Sequence, residues 1–303
     1  MSKRLRTSLV VVNFQSAALV KRLLASVADA VDEVVVVDNS PLPSELEGAL
    51  ADRLDTVVVH AGGNVGYGPA INRGVALTTG DVLLISNPDV EIAPADLARL
   101  VDAVQSSEVG IAAPRFVFAD GSLQRSAHRR EPGLLATVYE LCYPLAATVK
   151  RLSPDWHPTF IASSAESADL NVGHVLGALM AIDRTAFEQA GGFDERFFLY
   201  REETDLCRRV RDNGMGVVHV GAATAVHHHG GSSAESLPTQ VRPEYLESHY
   251  RYIAKHRGRG TAVAAWALGV VAAAVWAVTG PHRAWAWRAL RWHIAHPGAV
   301  LSW

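Results

Sequence analysis

Val82-Leu83-Leu84-Ile85-Ser86-Asn87-Pro88-Asp89-Val90 is the stretch that most restricts what this chain can fold into. Its near-continuous apolar run has no solvent-facing alternate, so both faces of the extended segment must be covered, as in a central parallel strand. Pro88 then turns the chain sharply and presents Asn87 and Asp89. In open α/β sheets, ligands bind just beyond the carboxyl ends of the strands. A carboxylate delivered there suits a hard cation and, through it, a phosphate, although the same residues also describe an ordinary Asx-Pro turn.

The neighbouring segments supply a sheet for this strand. Leu9 to Asn13 reads as a first strand, Ser16 to Val27 as a helix, and Glu33 to Asp38 as a second strand ending in a carboxylate. A helix over about 44–54 leads to a third strand, Thr56 to His60. Strand and helix alternating at this spacing mean βαβ units, hence a parallel sheet with right-handed crossovers. The turn Gly62-Gly63-Asn64-Val65-Gly66-Tyr67-Gly68 follows the third strand and opens a helix to about Thr78. A dinucleotide fingerprint needs its glycines after the first strand and a P-loop needs G-x-x-x-x-G-K-[ST]; the first glycine here is Gly48, which excludes both. The glycine turn is therefore either a helix cap or a backbone that approaches a ligand closely, with Asn64 and Asn72 as polar contacts.

Farther on, the pattern predicts a helix from Pro94 to about Ser106, a strand Val109 to Ala113 and an Asp120-Gly121 hairpin. From Arg125 to about Leu170 it predicts loops or a lid, with one apolar helix over Tyr139 to Val149. A strand follows from His174 to Asp183, in which Gly177 and Ala178 leave room for something to pack against the backbone. Glu202, Glu203 and Asp205 then fall within four residues at the start of a helix, directly after Phe197 and Phe198. The helix dipole favours carboxylates there. Crowding beside aromatics would raise a carboxyl pKa, which suits a general base. A last strand, Val217 to Val220, precedes His227-His228-His229, of which one or two could join Asp89 on a cation.

Composition separates the tail from the body. Before position 251, 21 of the 28 basic residues stand against all 31 acidic ones, a balance of −10, whereas the seven basic residues beyond carry +7. Six of the seven tryptophans lie in the last 38 residues. Basic residues with tryptophan point to an anionic membrane surface, and the acidic body argues against nucleic acid. Thr261 to Thr279 carries no charge and, at about 28 Å as a helix, barely matches the hydrocarbon thickness. Gly280-Pro281 breaks it, so the tail is expected to be a helical hairpin lying in, or dipping into, the cytoplasmic leaflet. Two cysteines without metal or disulfide spacing suit a reducing compartment, and the short N-terminal apolar run reads as a strand rather than a signal peptide.

Single motifs are weak, but one ordered set is specific: Asp38-Asn39-Ser40, Gly63-Asn64-Val65-Gly66-Tyr67 with Asn72-Arg73-Gly74, Asn87-Pro88-Asp89, Gly191-Gly192-Phe193-Asp194-Glu195, Glu202-Glu203-Thr204-Asp205-Leu206, and His228 before Gly-Gly. From about Leu9 to Arg257 the chain resembles the inverting glycosyltransferases of family 2, in their rhamnosyltransferase-like branch. That resemblance implies a GT-A fold, a Rossmann-like mixed sheet flanked by helices. The domain would span 1–257, with a nucleotide-sugar half (about 1–114) and an acceptor half (115–257), followed by a membrane-associating hydrophobic or amphipathic tail (258–303). It implies Asp38 on the pyrimidine base and a donor site of Asn39, Gly63, Asn64, Gly66, Tyr67, Asn72 and Asn87. Asp89 and His228 would hold Mg²⁺ or Mn²⁺ on the diphosphate. Gly177, Ala178 and Asp205 would face the acceptor, and Glu203 or Glu202 would be the base. The partners implied are a nucleotide-sugar, dTDP-L-rhamnose first and a galactofuranosyl or other hexosyl donor second, together with a lipid-linked saccharide at the cytoplasmic membrane surface. A non-catalytic sugar-nucleotide-binding protein is the rival from another class, and oligomeric state is left open.

Overall fold

A computed structural model describes residues 4–42, 44–50, 56–124, 128–153, 157–159, 167–228, 239–280 and 283–300. In chain order its elements are β1 (Thr7–Asn13), α1 (Ala17–Val27), β2 (Glu33–Asp38), α2 (Leu46–Ala49), β3 (Thr56–His60), α3 (Tyr67–Val75), β4 (Val82–Ser86), β5 (Val90–Ile92), α4 (Pro94–Ala103), β6 (Val109–Val117) and β7 (His128–Arg129). They continue with α5 (Leu134–Leu141), α6 (Tyr143–Leu152), β8 (Leu170–Asn171), β9 (His174–Val175), β10 (Leu179–Asp183), α7 (Arg184–Gln189), α8 (Glu202–Asp212), β11 (Gly216–His227), α9 (Pro243–Arg257), α10 (Arg259–Thr279) and α11 (Arg283–Ala295). These group into two compact units, one of Met1–Arg130, Ile161–Phe198 and Glu202–Ala234, the other of Glu131–Phe160, Leu199–Arg201 and Glu235–Trp303.

The first unit is built on a mixed sheet in the order β3-β2-β1-β4-β10-β6-β11-β5, with β8 on β11. Strands β1 to β4 are parallel, as the strand–helix alternation predicts. The departures are β10, which runs antiparallel to both β4 and β6, and the short β5 and β8, each antiparallel to β11; β10 is the one within the core of the sheet. A buried apolar run is equally stable in either direction, so its residues carry no sign of orientation. The chain winds outward from β1 to β3, then returns to the other side of β1 as β4, which places a switch point between β1 and β4.

Alternation of side chains across the pleat explains the continuous valine runs. Leu9, Val11, Val34, Val36 and Leu84 pack with Val20, Leu23 and Leu24 of α1 and Leu97 and Leu100 of α4. Val10, Val12, Val35, Val37, Leu83 and Ile85 pack with Ala70, Ile71 and Val75 of α3 and Leu206, Cys207 and Val210 of α8. Gly74 is what lets α3 sit this close: a Cβ there would lie 2.5 Å from Val10 Cγ1 and 3.0 Å from Val37 Cγ2. Both neighbours are β-branched and central to the sheet, so neither can yield. Gly74→Ala should therefore cost about 1–3 kcal/mol by overpacking, read as a lower urea midpoint; an unchanged midpoint would mean that α3 shifts freely.

Several boundaries differ from expectation. The strand expected over 174–183 is two, β9 and β10, interrupted at Leu176-Gly177-Ala178. The last strand runs from Gly216 to His227 rather than stopping at Val220, with a register shift between Val220 and Thr224 that accommodates the small residues Gly221, Ala222 and Ala223. The helix expected over 44–54 is the single turn α2, and 51–55 lie outside the described residues. Within the stretch expected as loops or a lid, 134–152 forms two helices, α5 and α6, because Pro144 ends any helix begun at Tyr139 and starts the next.

The second unit is helical. Leu246, Tyr250, Ile253 and Ala254 of α9 pack with Ala262 and Ala265 of α10 and Trp292 of α11. Its polar centre is Arg201, whose guanidinium pairs with Glu140 and donates to Tyr245 at 2.7 Å. Burial, and then the Arg201 charge, push the His249 imidazole down to about 3. It is therefore neutral, and its Nδ1 lies 3.0 Å from Arg201 as an acceptor.

Candidate active site

Asp89 sits where the strand pattern places it, in the turn between β4 and β5 at the carboxyl edge of the sheet, and it is buried. Pairing fixes its surroundings. Leu179 of β10 lies opposite Ser86 of β4, and Asn87 N–H donates to Ala178 carbonyl at 2.7 Å, which brings Gly177 and Ala178 to the same edge. His227 at the end of β11 pairs with Val90, and His228 N–H donates to the Asp89 carbonyl at 2.9 Å. Of the two histidines, His227 faces Asp89, with Nε2 3.5 Å from Oδ1 and Nδ1 3.0 Å from Gln124 Oε1. His228 turns the other way, 3.1 Å from Glu91. The resemblance points to His228 among the three histidines, whereas His227, with Gln124, is the one that lies beside Asp89; alternation along a strand reaching His227 sends 227 and 228 to opposite sides. His229 lies outside the described residues.

Tyr67, the first residue of α3, ties this edge to the carboxylates of α8. Its hydroxyl donates to Gly177 carbonyl at 3.0 Å. Burial pushes that hydroxyl well above its usual range, and Glu202, Glu203 and Asp89, as carboxylates at the high pH where a phenol ionises, push the same way. The charges of Asp89 and of the adjacent pair Glu202 and Glu203, at least 113 residues farther along the chain, thus act on one tyrosine. Gly177 also admits α8: a Cβ on it would lie 3.3 Å from Glu203 Cβ. The glycine turn is aimed by Gly66, whose φ of 97° is a left-handed conformation and whose missing Cβ would lie 2.6 Å from Phe198 carbonyl. That carbonyl accepts from Tyr67 N–H at 2.9 Å.

The two glutamates differ. Glu202 is buried, and its Oε2 has no hydrogen-bond partner. Burial raises its pKa well above the ordinary value and the adjacent Glu203 raises it further, so Glu202 favours the protonated form. Glu203 is only half-buried and accepts from Thr204 Oγ1 at 3.3 Å. A raised folded-state pKa stabilises the fold fully below the ordinary carboxylate value, and that contribution is lost as pH rises through the folded value. Glu202→Gln should consequently raise the melting temperature at pH 7 and flatten its decline above pH 4.5, measured by thermal melts across pH; a lower melting temperature at pH 7 would contradict the buried-carboxyl assignment.

Other expected site residues have protein partners. Asp38 is fully buried; burial opposes its ionisation, but hydrogen bonds from Ser44, Ser40 and Asn13 outweigh it and hold the carboxyl below the usual range. His60, partly exposed, stands 3.4 Å from Asp38 Oδ2. The Asn39 amide group donates to Asn64 Oδ1 and Gly66 carbonyl, both at 3.1 Å, and its Oδ1 accepts from Val65 N–H, so it shapes the glycine turn. Asn64 is exposed on that turn beside Gly63. Asn72 is stapled to Phe193 by two 2.9 Å bonds with its backbone. Asp205, expected on the acceptor side, is fully buried and bound by Arg209 at 2.7 Å, which also donates to Gly192 carbonyl. Ala178 is buried, and Gly177 is partly exposed.

Among the described residues, no group of three or more His, Cys, Asp and Glu is placed to hold a metal ion by itself. Asp89 with the His227 imidazole beside it is nevertheless a donor set that fits a Mg²⁺- or Mn²⁺-type cation, provided that phosphate oxygens and water supply the other ligands.

The class of this mixed α/β fold with carboxylates at its carboxyl edge comes from comparison with known proteins. The model of glycosyl transferase family 2 matches residues 8–191, and the chain belongs to that family. A model described as the N-terminal domain of galactosyltransferase matches 158–229. The chain is 27% identical over 274 residues, 86% of its length and 88% of the relative's, to the N-acetylglucosaminyl-diphospho-decaprenol L-rhamnosyltransferase of Mycobacterium tuberculosis. It is 28% identical over 225 residues, 73% of its length and 66% of the relative's, to the low-salt glycan biosynthesis hexosyltransferase Agl10 of Haloferax volcanii. The rhamnosyltransferase WbbL of Escherichia coli is 26% identical over 208 residues, 65% of this chain and 73% of that one.

Among solved structures, the mannosyltransferase PcManGT of Pyrobaculum calidifontis, in complex with GDP-Man and Mn²⁺, superposes with a TM-score of 0.56 at 16% identity, covering 99% of this chain and 88% of that one. GalNAc-T7 with UDP, GalNAc and Mn²⁺ gives 0.61 at 15% identity, covering 98% of this chain and 57% of that one. The fold is the GT-A arrangement expected from the sequence.

Proposed function

We propose that the protein is an inverting, metal-dependent transferase that moves a hexose, L-rhamnose from dTDP-L-rhamnose, onto a polyprenyl-diphosphate-linked saccharide in cell-wall or polysaccharide assembly. The observation that carries the chemistry is the Gly177–Ala178 segment at the sheet's carboxyl edge, which bonds Asn87 beside Asp89, accepts from Tyr67 and packs against Glu203. The sugar and the lipid-linked acceptor rest on the Mycobacterium relative, whose name describes both and which aligns over 86% of this chain.

In this reading Glu203 is the base. It is the more exposed glutamate, whereas Glu202, driven toward its neutral form, is a poor proton acceptor at neutral pH. Glu203 takes the acceptor hydroxyl proton as that oxygen bonds to the anomeric carbon, while the bond from that carbon to the diphosphate breaks and nucleoside diphosphate leaves. A neutral Glu202 also spares Glu203 a second negative charge. Asp89, with His227 or His228, would hold the cation, which when bound offsets charge on the departing diphosphate. Asp38, Asn39 and the Gly63–Tyr67 turn would take the nucleotide, with Asn72 and Asn87 nearby. Gly177 and Ala178 would lie toward the acceptor, Asp205, buried and held by Arg209, would support that side rather than touch the acceptor, and the enzyme would work at the cytoplasmic face of the membrane.

A galactofuranosyl or other hexosyl donor is the second reading, favoured by the galactosyltransferase-domain match over 158–229 and by the hexosyltransferase relative. A panel of nucleotide-sugars, scored for Mg²⁺- or Mn²⁺-dependent release of nucleoside diphosphate with and without lipid-linked acceptor, decides. Acceptor-dependent release from dTDP-L-rhamnose is expected. Release from another donor alone would select the second reading, and binding without release from any donor would leave a non-catalytic protein.

A further inference from the structure

Helix α10 is the one helix among the described residues long and apolar enough to cross a membrane, yet its packing is that of a core helix on one side. Ala262, Ala265, Gly269, Ala272, Ala273 and Ala277 are buried. A Cβ on Gly269 would lie 2.3 Å from Tyr250 Oη and 2.6 Å from His293 Nε2, two groups that hydrogen-bond each other at 2.7 Å. The α10 backbone therefore rests on a polar pair contributed by α9 and α11. Farther along, Ala273, Trp276 and Ala277 pack with Ala286, Ala289 and Leu290 of α11. A helix held on this side by α9, which carries Glu244, Glu247, Arg251, Lys255 and Arg257, cannot be ringed by lipid without drawing those charges into hydrocarbon.

Among the described residues of this unit, none gives the opposite side of α10 such cover. Val263, Ala264, Ala267, Val271, Val275 and Val278 are all exposed and recur at helical spacing, with Val271 60% and Val278 67% exposed. Scattered exposed valines need no explanation, but an apolar stripe running nearly the length of a helix departs from the polar outer face of a water-facing helix. Charge identifies what covers it. Neither α10 nor α11 carries an acidic side chain. The exposed positions of α11 include Arg283, Trp287, Arg288, Arg291 and Ile294, a basic face bearing a half-exposed tryptophan. An apolar stripe, a half-exposed tryptophan and arginines with no counter-charge among the described residues suit the headgroup boundary of an anionic bilayer.

We propose that the α10–α11 pair is a monotopic anchor. The outer stripe of α10 lies in the plane of an anionic phospholipid surface, Trp287 and the α11 arginines engage its headgroups, and the chain does not span the bilayer. This deepens, and rests on, the reading of a membrane-bound acceptor, but lipid binding is read without donor or acceptor, so either idea can fail while the other stands.

The test is flotation of the full chain with vesicles of phosphatidylcholine alone and of phosphatidylcholine mixed with phosphatidylglycerol, beside light scattering and transfer to a water-soluble acceptor analogue. Binding is expected to the anionic vesicles, to weaken with salt and to be near background on neutral ones. Arg288→Glu/Arg291→Glu should weaken it by roughly 25-fold or more, at about fivefold per lost basic residue. Val271→Asp/Val275→Asp, both outward-facing, should abolish it at unchanged melting temperature, with transfer to the soluble analogue retained in both double variants. Equal binding to both vesicle types, variants that float like the parent, resistance to alkaline extraction typical of a spanning helix, or a valine variant that only converts a dimer to a monomer would each overturn the proposal.

Discussion

Replacing Glu203 by Gln should lower transfer by roughly 10²–10⁴-fold, the range expected for loss of a positioned general base, while donor affinity stays unchanged. Gln keeps the side chain's length and its seat on Gly177 but cannot take a proton. The expectation is sharpened by the contrast with Glu202, whose carboxyl is enclosed, lacks a partner on Oε2 and is driven toward the neutral form by burial and by Glu203 itself. Removing charge from one glutamate relaxes the other. Glu203→Gln should therefore also lower the Glu202 pKa, whereas Glu202→Gln should leave most of the activity in place. Single-turnover kinetics beside donor titration checks the pair. Full activity in Glu203→Gln with loss in Glu202→Gln would exchange their roles.

Asp89→Asn should reduce transfer by about 10²–10³-fold through a different route, the loss of charge stabilisation at the leaving diphosphate. The substitution is nearly isosteric and leaves the backbone bond from His228 N–H to the residue-89 carbonyl intact, so the fold should survive. Its signature is in binding: the Mn²⁺-dependent part of nucleoside diphosphate affinity should vanish, whereas Glu203→Gln retains it. Calorimetry with and without the metal separates the two variants. Metal-dependent affinity that persists in Asp89→Asn would move the cation elsewhere, with Glu91, close to His228, the next carboxylate to test.

Much of this site could be read from residues in order, and the reasons are local. The β4 run and its Pro88 turn announce a covered strand with a carboxylate at its end, and the valine runs of β1 and β2 do the same for their neighbours. Glu202 and Glu203 at a helix start were visible because helix N-termini collect carboxylates. What stayed hidden depends on pairing rather than pattern. The reversed direction of β10 puts Gly177 beside Tyr67 and Glu203, and no alternation in Leu179–Asp183 records direction. The three-residue strand β5 is too short to have a period, yet its pairing with β11 is what turns His227 rather than His228 toward Asp89. Asn72 and Asp205 also make internal bonds that no pattern records: Asn72 holds the Phe193 backbone and Asp205 holds Arg209. Composition set the tail apart as basic and tryptophan-rich, but the one-sided burial of α10 was not legible, because alanine and glycine serve a tight helix–helix contact as well as a lipid-facing helix.

The stereochemistry at the transferred sugar tests the catalytic claim most directly. One base and no protein nucleophile mean a single displacement, so the anomeric configuration of the product, read by proton NMR against that of the donor, should be inverted, and formation of that product should depend on Glu203. Retention of configuration, or inversion at full rate in Glu203→Gln, would contradict a mechanism based on that carboxylate.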